Sequence, residues 1–392
     1  MFSSEKATVT LGCEELYHYI KGKKIALMMN TTALDNDGNF LIDAIVKSAC
    51  AHVECFFGME HGVRGNLYAG DGNLPDIDDK TGVRIVNLYK YPNFQPPSKW
   101  VEKVDAVVFS AQDVGVRHWT YTPWMMQLIE TCATVGREVI ILDRPNPIRG
   151  DIVEGAPAET KYAGTAHLSG FEYPLRHGMT IGELALMYND LKKLRAKITV
   201  LKMHGWKRDM WYDETGLIWV PGSPNMPTTD TPLYFAATGL MQSSNFSLGI
   251  GTTTPFQYVG DPDFDGDQLT NELNALHLPG IVFLQKYYMA MTYKNPTETG
   301  NRTLVLCNGT FMVIRNRNLW HPVETQLHIM ETVNRLFPKT ANFEYTSAAR
   351  YRMCTDEICD ALATGASLAD VKEKWKRGAK QFEEARRPYL LY

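Results

Sequence analysis

The feature that most constrains this chain is a series of short, mainly apolar runs, many rich in β-branched residues, separated by stretches with helical spacing. The runs are "KIALMM" (24–29), "VECFF" (53–57), "VRIVNL" (83–88), "DAVVFS" (105–110), "EVIIL" (138–142) and "KITVLKM" (197–203). Helix-like segments such as "NFLIDAIVKSACA", "TPWMMQLIETCATVG" and "TIGELALMYNDLKK" fall between them. A strand that is apolar at every position, not at every second one, must be covered on both faces. That predicts a parallel sheet flanked by helices. The expected fold class is α/β, built on a doubly wound, mostly parallel sheet.

From about Thr254 the texture changes. "LTNELNALHLPG" reads as a short helix closed by Pro279 and Gly280, and "IVFLQKYYMAMTY" and "RTLVLCNGTFMVIRN" read as strands. "PVETQLHIMETVNRLFP" has apolar residues at helical spacing and stops at Pro338, and a last helix runs near "SLADVKEKWKRGAKQFEEARRPYLLY". The expected division is a first α/β domain over 1–253 and a smaller, mixed α/β second domain over 254–392.

Composition narrows the function. With 392 residues, 21% charged and a net charge of −4, the chain lacks the basic excess of a nucleic-acid or membrane-surface binder. No segment has the ~18 uninterrupted apolar residues of a membrane span. The start, "MFSSEKATVTLGCEELYHYI", has no basic region followed by an apolar stretch, so a cytoplasmic chain without an export signal is expected. The seven cysteines lack metal-like spacing and are read as free thiols in a reducing compartment.

Parallel sheets bind ligands beyond the carboxyl ends of their strands, and four segments place polar residues there. The strand 24–29 delivers Asn30 and Thr31; 53–57 delivers Glu60, His61 and Arg64 in "GMEHGVRG". The strand 105–110 delivers Gln112, Asp113 and Arg117, and 138–142 delivers Asp143, Arg144 and Asn146, with Glu154 in "VEGAP". A turn or a helix cap would account for any one of these, but not readily for four segments at one rim. Arg176 and His177 precede a helix whose N-cap is Thr180, with Glu183 at the capping-box position and hence a structural role. "VPGSPNMPTTDTP" must be a rigid loop, presenting Ser223 and Asn225 to a ligand.

Several chemistries are excluded by what is missing. There is no G-x-S-x-G elbow, no phosphate loop of the G-x-x-x-x-G-K type, and "GMEHGVRG" does not fit the dinucleotide fingerprint. Paired acids suit glycosidic cleavage, in which one protonates the leaving oxygen while the other attacks the sugar or activates water. Glu60 is the leading acid, with Glu154, Asp113 and Asp143 competing for the second role. Three arginines at the rim suggest an anionic ligand, because a guanidinium fork grips a carboxylate with two parallel hydrogen bonds. "DPDFDGDQLTNE" (261–272) satisfies a calcium-loop pattern. The extended "PFQYVG" before it and Pro262 within it argue for an acidic turn capping a helix. No cofactor or metal is expected.

The ordered series "FFGMEHGVRG", "QDVGVRHWTY", "LDRPNPIRG", "VEG", "RHGMTIGELA", "WVPGSPNMPT" and "GIGTTTPF" resembles the exo-β-N-acetylmuramidases of glycoside hydrolase family 171, from about Gly22 to the end. The resemblance implies a Rossmann-like catalytic domain and release of N-acetylmuramic acid from the non-reducing ends of peptidoglycan fragments. It implies no metal or organic cofactor, and a small muramyl disaccharide or muropeptide as the partner. The family's E-H-G glutamate falls on Glu60 and its V-E-G glutamate on Glu154, a candidate partner. Arg64, Arg117 and Arg176 become candidates for holding the lactyl carboxylate of muramic acid, and the 2-acetamido group of the sugar is a further candidate nucleophile. Met59 stands where the family usually has proline, and "NTTALD" replaces N-P-T-G. Two rival readings are a Rossmann-type transferase acting on a nucleotide-sugar or phosphorylated ligand, and a non-catalytic sugar-binding relative.

Overall fold

The computed structural model describes residues 8–163, 171–293, 302–341 and 347–392. Its main sheet has six strands: β1 (Lys24–Met29), β2 (His52–Gly58), β3 (Ile85–Asn87), β4 (Ala106–Ser110), β5 (Glu138–Leu142) and β6 (Lys197–Leu201). Their order is β3-β2-β1-β4-β5-β6, and every pairing is parallel. The order reverses between β1 and β4, as a doubly wound sheet requires.

Helices α1 (Cys13–Ile20), α2 (Leu41–Ser48), α3 (Ser98–Val101), α4 (Tyr121–Val135) and α5 (Ile181–Leu191) cover this sheet. The apolar runs explain the arrangement. Ile25, Leu27 and Met29 of β1 pack into one layer with Leu16 and Ile45, while Ala26 and Met28 join Phe57, Phe109 and Trp124 in the other. The start of α5 follows from its sequence: the Thr180 hydroxyl accepts from the Glu183 N–H, and the Glu183 carboxylate accepts from the Thr180 N–H. Glu183 is then held by Arg208 at 2.7 Å, which fixes its structural role.

The second region holds α6 (Thr231–Thr238), β7 (Tyr258–Asp261), α7 (Gly266–Ala275), β8 (Ile281–Tyr293), β9 (Arg302–Ile314), α8 (Pro322–Leu336), α9 (Ser347–Met353), α10 (Glu357–Thr364) and α11 (Ala369–Arg386). Its antiparallel sheet has the order β7-β9-β8. The acidic turn does cap a helix: Asp265 accepts from the Gln268 N–H at 2.9 Å at the start of α7, and Glu272 pairs with Arg335. Among the described residues no group of three or more His, Cys, Asp or Glu is placed to hold a metal. No helix among them is long and apolar enough to cross a membrane. All seven cysteines are free.

The chain's end returns to the first sheet. Leu391 donates its N–H to Glu183, and the Tyr392 hydroxyl donates to Asp143 at 2.9 Å.

Candidate active site

The abrupt end of β2 sets the geometry. After Gly58 the chain turns at once, closed by the Gly62 N–H donating to the Met59 carbonyl at 2.9 Å. His61 takes a left-handed φ of 64° within that turn, which ends the strand and carries Glu60 out of the sheet. Two donors then fix the Glu60 carboxyl: the Gly70 N–H on Oε1 at 2.6 Å and the Tyr89 hydroxyl on Oε2 at 2.5 Å. The imidazole of His61 bonds through Nδ1 to the Leu67 carbonyl at 2.9 Å, an acceptor that requires the proton on Nδ1.

Glu60 lines a cleft of about 360 Å³, within the range of small-molecule sites. His61, Ser223 and Asn225 line it too, so four of the residues expected from sequence meet there. The remaining wall comes from residues the sequence did not single out. Trp119, Phe235 and Phe256 supply aromatic surface; His118, Thr120, Gln242 and Arg352 supply polar groups. The His118 ring lies 4.3 Å from that of Phe235. Among the described residues its two buried nitrogens have no hydrogen-bond partner. Burial, followed by the charges of Arg352 and Arg117, holds this imidazole well below the usual histidine range, in its neutral form.

The other expected residues are buried and turned inward, where they brace the loops beneath the cleft. Asn30 accepts from the Thr32 hydroxyl at 2.6 Å, and that hydroxyl accepts from the Gln112 N–H at 2.8 Å, tying β1 to β4 at the switch point. Gln112 donates to the Pro145 carbonyl, and Asn146 donates to the Met179 carbonyl. Asp113 accepts from the Gly115 N–H and the Thr122 hydroxyl, with His177 Nε2 at 3.2 Å. Arg144 donates to the Ser110 hydroxyl and the Leu34 carbonyl. Asp143 accepts from the Thr180 hydroxyl, the Gly182 N–H and Tyr392. The polar rim therefore exists, but satisfying buried backbone and side-chain groups consumes most of it.

Glu154 and the three arginines lie away from this cleft. Glu154 pairs with Arg176 at 2.5 Å and accepts from the Val323 N–H. It lines a different cavity of about 520 Å³, together with His321, Glu324, Lys376 and Trp375. That larger cavity holds none of the groups gathered around Glu60. Arg176 is fully buried against Glu154 and the Ile148 carbonyl. Arg64 makes a fork onto Asp78, at 2.7 and 2.6 Å, and reaches Asp43 at 2.9 Å. Arg117 is spent on three carbonyls, those of Ala156, Tyr173 and Met353. None of the three lines the cleft, because each has a buried acceptor that would be stranded without it.

Comparison with known proteins gives this geometry its context. The family models described as "Exo-beta-N-acetylmuramidase NamZ, N-terminal" and "C-terminal" match residues 25–230 and 233–392. The chain is 35% identical over 375 residues to the peptidoglycan β-N-acetylmuramidase NamZ of Bacillus subtilis (strain 168), covering 95% of this chain and 88% of that one. Two crystal structures of DUF1343 family proteins from Bacteroides fragilis NCTC 9343 superpose on it. One has a TM-score of 0.86 at 29% identity and the other 0.73 at 28%, each covering 98% of this chain and 99% of theirs. The chain belongs to the exo-β-N-acetylmuramidase NamZ family.

Proposed function

We propose that this chain hydrolyses the β-glycosidic bond of N-acetylmuramic acid, releasing the sugar from the non-reducing ends of peptidoglycan fragments, with Glu60 as the proton donor. The observation that carries the reading is the placement of Glu60 in a chain of this family. Its carboxyl is oriented by two donors on the wall of a sugar-sized cleft. Trp119, Phe235 and Phe256 offer apolar surface for a pyranose ring, and Ser223, Asn225 and Gln242 offer partners for its hydroxyls.

Among the described residues lining the cleft, Glu60 is the carboxylate. The second group in this reading is therefore the substrate's own 2-acetamido oxygen. It attacks C1 as the C1–O bond breaks, while Glu60 gives its proton to the departing oxygen. The oxazolinium so formed takes up water at C1, and the water's proton returns to Glu60. Two displacements at C1 retain its configuration.

The test is hydrolysis of a chromogenic β-N-acetylmuramide by the wild type and by Glu60→Gln. Loss of a positioned general acid should lower kcat by roughly 10²–10⁴-fold. Unchanged turnover in the variant would remove Glu60 from the reaction. Following the first-formed product by NMR checks the second group: the β anomer is expected, and an α product would require a different nucleophile.

A further inference from the structure

The hydrolase reading leaves open how the cleft tells muramic acid from N-acetylglucosamine. The two sugars differ by a lactyl ether on O3, which ends in a carboxylate. Resting on that reading, we propose that Arg352, carried by the second region of the chain, grips this carboxylate and sets the specificity of the cleft.

Position comes first. The lactyl group and the scissile bond leave the pyranose from different ring carbons, C3 and C1, so the clamp and the proton donor must come from different walls. Glu60 enters from the turn after β2 and Arg352 from α9, and both line the same cleft. None of the arginines that the sequence offered for this task lines the cleft. Among the described residues lining the cleft, Arg352 is the one arginine or lysine, and a guanidinium is the side chain best shaped for a carboxylate.

Next comes the means of holding it there. Arg117 donates through Nη2 to the carbonyl of Met353, the last residue of α9, at 2.9 Å. The Glu159 N–H donates to the Cys354 carbonyl at 2.9 Å, and the Thr355 hydroxyl donates to the Glu159 carboxylate at 2.6 Å. All three bonds link the first region to the residues just after Arg352. Arg117 also begins the segment whose next three residues, His118, Trp119 and Thr120, line the cleft. One buried guanidinium thus registers the helix bearing Arg352 against the opposite wall, which makes Arg117 a positioning residue. His118, kept neutral beside Arg352, adds no competing charge.

The experiment compares a chromogenic β-N-acetylmuramide with its lactyl methyl ester, which keeps the ether but loses the charge. Wild type, Arg352→Gln and Arg352→Lys are assayed on both. The wild type should prefer the acid by roughly 10- to 150-fold in kcat/KM, the worth of a hydrogen bond to a charged group. Arg352→Gln should lose that preference, mainly through KM, with a much smaller loss on the ester than on the acid. Arg352→Lys should restore part of it, since the ammonium keeps charge without the fork. An equal loss on both substrates, or an undiminished preference in Arg352→Gln, would overturn the clamp. A wild type that hydrolyses neither compound defeats the hydrolase reading alone. Calorimetric binding of free N-acetylmuramic acid then decides the clamp, which fails if Arg352→Gln binds as tightly as the wild type.

Discussion

The Tyr89 hydroxyl stands 2.5 Å from Glu60 Oε2 and donates to it. Burial, and then the charge of Glu60, push the ionisation of this phenol far up, so it remains a donor at any ordinary pH. Its ring is held edge-on against Phe94 and Trp124, each at 5.4 Å. The phenol is therefore a rigid stop for the acid. Tyr89→Phe keeps the ring and removes the stop. Its kcat on a muramide should fall roughly 10- to 150-fold, the range expected for a hydrogen bond to a charged group, with little change in KM. Steady-state kinetics on the two proteins checks this; an unchanged kcat would mean that Gly70 alone aims Glu60.

Glu154 makes a contrasting prediction. Arg176 beneath it is fully buried, and its Nη1 pairs with the Glu154 carboxylate at 2.5 Å. Glu154→Gln would leave a cation in the interior facing an amide, an arrangement that costs about 3–5 kcal/mol. The urea midpoint should drop accordingly. The turnover of the folded protein at low temperature should stay within about threefold of wild type, because Glu154 does not line the cleft with Glu60. A collapse of kcat at intact stability would return Glu154 to the catalytic machinery.

Arg64 separates the two readings of a rim arginine. Its fork holds Asp78, whose carboxyl is pulled down to about 2, first by that hydrogen bond. Arg64→Met should destabilise the chain by roughly 1–3 kcal/mol, since it strands a buried acceptor. The wild-type protein should lose part of this contribution as pH falls from about 4 toward 2, when Asp78 takes its proton. Preference for the lactyl acid over its ester should not move. A lost preference in Arg64→Met would restore the assignment made from sequence.

The sequence made the sheet legible because burial on both faces leaves a direct mark: every residue of β4 and β5 is buried. It also placed Glu60 just beyond the carboxyl end of such a strand, on the side where the cleft opens. Helix α6 left no periodic mark, because all eight of its residues are buried. The inward turn of Asn30, Gln112, Asp113 and Asn146 was illegible for a different reason. A polar residue at a strand end can face a ligand or brace its own loop, and only the positions of distant carbonyls decide between them. His118 and Trp119 lay within the quoted "QDVGVRHWTY", beside Arg117, yet nothing local distinguishes which of three successive residues reaches the cleft. Arg352 had no local signal at all, because its role depends on a contact between Arg117 and Met353, 236 residues apart.

Asp143 carries the last prediction. Three donors surround it: the Thr180 hydroxyl at 2.7 Å, the Gly182 N–H at 2.9 Å and the Tyr392 hydroxyl at 2.9 Å. Complete burial outweighs them and raises its carboxyl to about 6. The unfolded chain releases the same proton near pH 3.9. The folded state therefore holds that proton more tightly, and the resulting stability is fully present below about pH 4 and lost as pH rises through 6. In Asp143→Asn the position is neutral at every pH. The stability of wild type relative to this variant should fall by roughly 2–3 kcal/mol between pH 4 and 7 and stay level above that. Urea unfolding of both proteins across that range measures the difference directly, and common titrations elsewhere cancel. A difference that does not change with pH would mean that the three donors keep Asp143 ionised despite its burial, with Tyr392 then acting as an electrostatic latch for the chain's end.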